Sequence, residues 1–283
     1  MKRGLFLIIG CTIFSNAYAS DLDVALQKTY MSCMGIEDML SDMKTLAGIN
    51  TAVTGVGTVA GGAALVVGIK KSQTLKELDD LRDMEENGDI IVDDDDDKIV
   101  ISQQKGFKPN LKAQAKAKKL GNWRTGLLAV NTVTNVAGAV IASQNTENED
   151  LKNKIQSCIK SVSELQPVIL QAKMDGIDVT EAQDIYRACS EYKYIDLSDV
   201  YKRAKGATVS SVVGGGTGAA GAIVSHIANN STGEKEQKLD TVSNVLAGGA
   251  TVFTGAATVF NALQISAIKK VSEVSEQCES LLR

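Results

Sequence analysis

The chain has 283 residues, a formal net charge of -4 and a single histidine. That charge gives no reason to expect a nucleic-acid partner, and one histidine removes histidine-based triads, dyads and most zinc sites. Hydrophobic residues make up 44% of the chain, but aromatics only 4% and prolines number two, which favours long helices packed through small and aliphatic side chains.

The first residues, MKRGLFLIIGCTIFSNAYAS, have the three parts of a secretory signal. Lys2 and Arg3 are followed by an apolar run from Leu5 to Phe14 and by Ala17-Tyr18-Ala19, a small-x-small cleavage site. Residues 1–19 are therefore expected to be removed on export, to the cell envelope or beyond it. A rival reading of Ile8-Ile9-Gly10-Cys11 as a lipoprotein box would make Cys11 a lipidation site, although the apolar run before it is short.

Removal of the signal leaves Cys33, Cys158, Cys189 and Cys278, an even number in an exported chain. Residues 24–35, VALQKTYMSCMG, and residues 180–191, TEAQDIYRACSE, share an Ala and Gln followed by Tyr-x-x-Cys. After each comes a Gly/Ala/Val run, a polar tip, a second such run and another cysteine. This reads as a tandem repeat: a first helical-hairpin unit over 20–166 with its tip at 72–122, a join at 167–178, and a second unit over 179–283. Each cysteine lies on an apolar stripe of helical period, as in Leu151, Ile155, Cys158, Val162 and Leu165. Equal arm lengths on either side of each tip predict the bridges Cys33–Cys158 and Cys189–Cys278, each clamping the base of one hairpin. Buried free thiols are the alternative.

Four stretches are free of acids, lysine and arginine: 45–69, 125–146, 206–233 and 241–268. Their small residues recur with a seven-residue period, as in Ala207, Ser211, Gly214, Gly218, Gly221, Ser225 and Ala228. Gly48, Gly55 and Gly62 are likewise a heptad apart. Glycine in a solvated helix costs about 1 kcal/mol relative to alanine, so close backbone approach must compensate. Through Gly57-x-x-x-Gly61, Gly214-x-x-x-Gly218-x-x-x-Ala222 and the Gly248 to Gly255 stretch, the chain resembles the glycine-zipper proteins of bacterial envelopes and membrane-active hairpins. The resemblance implies helix association, in lipid or between subunits, and no particular chemistry.

Each stretch has the ~20 residues needed to cross a hydrocarbon core of ~30 Å. The charges flanking them conflict: Lys70, Lys116 and Arg124 lie at the first tip, but Lys202, Arg203, Lys205, Lys269 and Lys270 lie at the second base. A bilayer-inserted bundle and a water-soluble bundle with alanine-glycine seams both remain open. The run Asp93 to Asp97 lacks the spaced ligands of a calcium loop and reads as a solvated acidic segment. His226 reads as a helix residue facing a tip or a satisfied seam, with a pH trigger as the sharper alternative. No phosphate-binding loop or catalytic constellation occurs.

The expectation is an all-α, non-enzymatic exported protein with no cofactor, metal or small-molecule substrate. Its helices associate with one another, with envelope partners and with membrane lipid in insertion or pore-like assembly. The alternative is a soluble helical scaffold or adhesive rod.

Overall fold

The structure, a computed structural model, describes the backbone of residues 21–86 and 103–283 and the side chains of 21–80 and 111–283. The expected signal, Cys11 and the Asp93 to Asp97 run lie outside the described residues. The fold is all-α: α1 (Asp21–Cys33), α2 (Ile36–Glu86), α3 (Gln103–Ser143), α4 (Glu149–Met174), α5 (Thr180–Ser190), α6 (Ser198–Asn229) and α7 (Glu234–Leu282), with a 3-10 turn at Glu191–Tyr194.

Two compact units form. Unit 1 gathers the described part of Met1–Asp42 with Asn148–Leu197 and Ile268–Arg283, and unit 2 gathers the described part of Met43–Glu147 with Ser198–Ala267. Each unit thus draws on both halves of the sequence.

Unit 1 is built from short helices whose ends are set by local chemistry. α1 stops at Cys33 because Gly35 adopts φ +89°, which L side chains rarely reach, and α2 starts at once behind it. α4 is capped by Asn148, whose side chain accepts the Leu151 N–H at 2.9 Å, with Glu149 and Asp150 complementing the positive helix end. Its stripe Leu151, Ile155, Cys158, Val162 and Leu165 is buried. α4 continues through Pro167 and ends at Met174, so residues expected to join two repeats are largely helical. Gly176 at φ +77° then lets Ile177 N–H reach the Ala172 carbonyl at 2.9 Å, closing the helix.

Both disulfides lie in unit 1. Cys33–Cys158 joins α1 to α4, and Cys189–Cys278 joins α5 to the last part of α7. The pairing matches the arm-length argument, but the bridges do not clamp the bases of two hairpins. The breaks at Gly35, at residues 144–148 and at the 3-10 turn place Cys33, Cys158 and Cys189 on short helices rather than on the long ones. The Sγ atoms of Cys33, Cys158 and Cys278 lie within 4.8 Å of one another, so the two bridges are neighbours in one core.

Beside them Tyr192 is fully buried and donates its hydroxyl hydrogen bond to Ser275 Oγ at 2.8 Å. Glu279 accepts the Glu37 N–H at 2.8 Å, and Ser272 donates to Glu37 at 2.8 Å. Burial pushes the Tyr192 phenol well above its ordinary range, opposed by the Ser275 hydrogen bond and reinforced by Glu279 and Glu37. A folded-state value above the unfolded one means a contribution to stability that is complete below about pH 10 and lost as pH rises further. Tyr192→Phe is expected to delete one late tyrosinate step from an alkaline absorbance titration and to flatten the alkaline loss of stability. Ionisation of Tyr192 at an ordinary value in folded protein would contradict this.

In unit 2 the buried residues of α3 from Gly121 onward, and of α7 from Asp240 to Gln264, follow steps of three and four. Along α3 they are Gly121, Arg124, Leu128, Asn131, Asn135, Gly138 and Ala142; along α7, Asp240, Ser243, Ala247, Ala250, Thr254, Ala257, Asn261 and Gln264. This is the period of helices packed nearly parallel around a common seam, and α3 packs along α6 over most of its length.

Candidate functional site: a polar seam inside an apolar shell

A heptad seam in water is normally leucine, isoleucine or valine, with polar groups outside. Unit 2 reverses this. Its seam is glycine, alanine, serine, threonine, asparagine and paired charges, whereas Val59 is 73% exposed, Val133 68%, Ile223 62% and Val245 70%. Further exposed apolar residues are Ile49, Val56, Val66 and Ile69 on α2, Val130, Val136 and Val140 on α3, Val209 and Val212 on α6, and Val242, Val252 and Val259 on α7. With Trp123 on α3 and Ile227 on α6, which are also exposed, they span 18 to 21 residues on each helix, or about 30 Å at ~1.5 Å per residue. Charges bracket this belt: Lys44 and Lys70, Arg124 and Glu147, Lys205 and Glu234, Asp240 and Lys269. All four long helices are long and apolar enough to cross a membrane by length and composition.

Glycine makes the seam narrow. A Cβ at Gly218 would lie 2.7 Å from Asn131 Oδ1, at Gly214 2.9 Å from Thr254 Oγ1, and at Gly61 2.8 Å from Thr251 Oγ1. At Gly221 it would meet Leu128 and Leu246 at 3.3 Å, and at Gly57 Thr254 Cγ2 at 3.1 Å. Ala222 packs beside the buried Ala64, Leu128 and Ala247. The other glycines expected at helix contacts face outward. Gly48, Gly55 and Gly248 have open space where a Cβ would stand, and Gly62 and Gly255 meet only Thr251 and Thr58 methyls at 4.0 and 3.8 Å.

The seam is layered. Near Ile49 and Leu263, Asn50 Nδ2 donates to Asn261 Oδ1 at 2.9 Å, with Ser211, Gly138 and Gln264 beside them. Further along, Asn131 Nδ2 donates to the Gly57 carbonyl at 2.7 Å and to Thr254 Oγ1 at 3.1 Å, and Asn135 Nδ2 donates to Thr254 Oγ1 at 2.7 Å. The apolar layer of Ala64, Leu128 and Ala247 follows. Beyond it comes a buried charge cluster at the level of Ile69 and Trp123.

Sequence reasoning missed that cluster. Arg124 and Lys71 are both 0% exposed, and Asp240 is 1% exposed. Arg124 Nη2 pairs with Asp240 Oδ1, Nη1 donates to Asn244 Oδ1 at 2.8 Å, and Nε donates to Ser225 Oγ at 3.0 Å. Lys71 Nζ lies 3.0 Å from Glu236 and 3.2 Å from Asp240, and Ser72 donates to Asp240 Oδ2 at 2.8 Å. Two cations from α2 and α3 and two anions from α7 thus neutralise one another, with Ser225 of α6 joined by a hydrogen bond. The partners stand more than a hundred residues apart, so no local spacing announces them.

His226 is exposed near the end of α6, with Asn230 Nδ2 3.3 Å from its Nε2, and has no place in the seam. Among the described residues, the grouping with metal-like spacing is Cys33, Cys158 and Cys278, whose sulfurs are already bound in disulfides. The open groove of unit 1 lined by Asp184, Arg187, Glu191 and Gln277 carries no nucleophile beside a base. The arrangement holds the long helices in register around a polar interior. No protein-family model, curated protein or solved structure matches the chain.

Gly218→Leu is expected to destabilise unit 2 by about 1–3 kcal/mol through overpacking, whereas Gly55→Leu should cost nothing and gain up to about 1 kcal/mol of helix propensity. Denaturant unfolding in mild detergent reads both, and equal tolerance at the two positions would contradict the seam. Asp240→Ala leaves Arg124 and Lys71 short of a counter-charge and is expected to cost about 3–5 kcal/mol; a loss below about 1 kcal/mol in the same assay would show that the cluster is solvated.

Proposed function

We propose that the chain is an exported, non-enzymatic membrane protein whose four long helices insert as a bundle. The observation that carries this reading is the reversal of polarity in unit 2. Lipid tails are as apolar as valine, so in a bilayer helices gain nothing by hiding valine and associate instead through close packing and interhelical hydrogen bonds. That favours small and polar residues at the contact and aliphatic ones outside. Water would favour the opposite arrangement.

Three further features support it. The outward apolar belt matches the hydrocarbon thickness on each helix. Trp123 is 61% exposed at one edge of the belt, where an indole suits the boundary between lipid and headgroup. Lys71, Arg124, Asp240 and Glu236 are mutually paired at that same edge, as charges near a membrane must be.

Four spans place all four cysteines on one side of the bilayer by parity, and their disulfides suit the oxidising side. Lys202, Lys205, Lys269 and Lys270 fall on that side too, against the usual charge bias of translocation. Insertion after export, once translocation no longer sets orientation, accommodates both facts. The outward glycines Gly48, Gly55, Gly62, Gly248 and Gly255 leave shallow places on the belt where a second helix could approach, in keeping with self-association or an envelope partner.

Fractionation of producing cells with an alkaline carbonate wash tests the reading. The oxidised chain is expected in the washed membrane pellet; quantitative release would make unit 2 a water-soluble scaffold and overturn it.

A further inference from the structure

We infer that the tip end of unit 2, where Lys70, Lys116, Lys118 and Lys119 stand just past the apolar belt, binds the headgroups of anionic phospholipids. The inference rests on the membrane-spanning reading and names the class of lipid that the bundle meets there.

The starting observation is one continuous face of α3. Val140, Val133, Val130 and Trp123 stand on it, all exposed, and Lys119, Lys116 and Lys112 continue it in steps of four, three and four. Along this face the side chains change from aliphatic to indole to ammonium, and α3 contains no Asp or Glu at any position. That is the order in which a helix leaving a bilayer meets hydrocarbon, interface and phosphates. α2 repeats it, with exposed Val66 and Ile69 followed at once by exposed Lys70.

Depth separates these lysines from the other charges of the tip. Lys119, Lys118 and Lys116 lie roughly 6 to 10 Å beyond the indole at ~1.5 Å per residue, and Lys70 follows Ile69, which stands level with Trp123. The headgroup layer reaches about 5–8 Å past the hydrocarbon core, and flexible lysine stems carry the ammonium groups across the difference.

Acids do not compete at this depth. Glu236 lies 3.0 Å from the buried Lys71, and Glu234 pairs with Lys238. Glu77, Asp79 and Asp80 stand roughly 12 to 17 Å past Ile69 at ~1.5 Å per residue, toward the level of Lys112. Among the described residues no ion pair reaches Lys70, Lys116, Lys118 or Lys119. Four cations left without counter-charge in one headgroup layer attract lipids that carry a negative charge over those that carry none.

Trp123 is the sole tryptophan of the chain and stands on the same face, so its fluorescence reads the lipids around this surface. The test uses the purified, oxidised full chain in vesicles of four parts phosphatidylcholine to one part phosphatidylglycerol, with integration first measured by flotation after a carbonate wash. In one set the phosphatidylglycerol is brominated on its upper acyl chain; in the other an equal amount of phosphatidylcholine is brominated instead. Brominated phosphatidylglycerol is expected to quench Trp123 about twofold more than brominated phosphatidylcholine. The excess should vanish in molar salt, where the screening length falls to about 3 Å. It should also vanish in integrated protein carrying Lys70→Gln, Lys116→Gln, Lys118→Gln and Lys119→Gln, all at exposed positions. Lys44 and Lys205 at the opposite end of the belt lie about 30 Å away and are not read by the indole. Equal quenching by the two lipids, or an excess that survives salt or the four substitutions, would overturn the inference and leave the membrane reading standing. Failure to float, or an indole that neither lipid quenches, would overturn both.

Discussion

Close approach of four backbones is the constraint on which unit 2 depends. Gly218 against Asn131, Gly214 against Thr254 and Gly61 against Thr251 leave no room for even a methyl group. At that spacing a seam cannot hold leucine, apart from the single layer at Leu128, and the remaining positions fall to hydroxyls and short amides. Those groups must bond to one another because water is excluded, and their bonds then fix the register of the helices. The valines have nowhere to go but outward. Polarity reversal is thus a consequence of glycine placement.

The charge cluster does different work. Hydrogen bonds between threonines and asparagines repeat along the seam and would tolerate a slip of one heptad at modest cost. Asp240 would not, since it serves Arg124, Lys71 and Ser72 at once. A slip would leave two buried cations without an anion, a far larger loss than any single amide contact. The pairing therefore selects one alignment among several that the small-residue period allows, which is the best-attested role of buried polar groups in helical assemblies.

Much of this architecture was legible in the sequence. The seven-residue spacing of Ala207 to Ala228 marked the inner face of α6, and the buried stripe of α4 and the disulfide pairing followed from period and arm length. α2 shows why legibility stopped there. It carries one heptad of glycines at 48, 55 and 62 and another set at 57, 61 and 68, and periodicity alone does not say which faces the other helices. The structure turns the second set inward and the first out. The Arg124–Asp240 pair was invisible for another reason: a buried ion pair depends on two residues brought together only after the long helices align. The grouping of both disulfides in unit 1 was hidden by breaks such as the one at Gly35, where a single left-handed residue redirects the chain.

The bridges also give the chain an unusual covalent topology. Cys33–Cys158 closes a ring that contains α2 and α3, and Cys189–Cys278 closes a ring that contains α6 and α7, with sequence separations of 125 and 89. Every long helix of unit 2 therefore belongs to a loop whose two ends are fastened in unit 1. A protease that cuts once in the polar tip of the first ring and once in the turn at 230–233 severs two peptide bonds yet releases no fragment. The nicked protein keeps its mass, apart from the two waters of hydrolysis, and keeps its helices within reach of one another until a reductant reaches the sulfurs. Such a plan makes survival of the assembled helices a question of redox chemistry as much as of proteolysis.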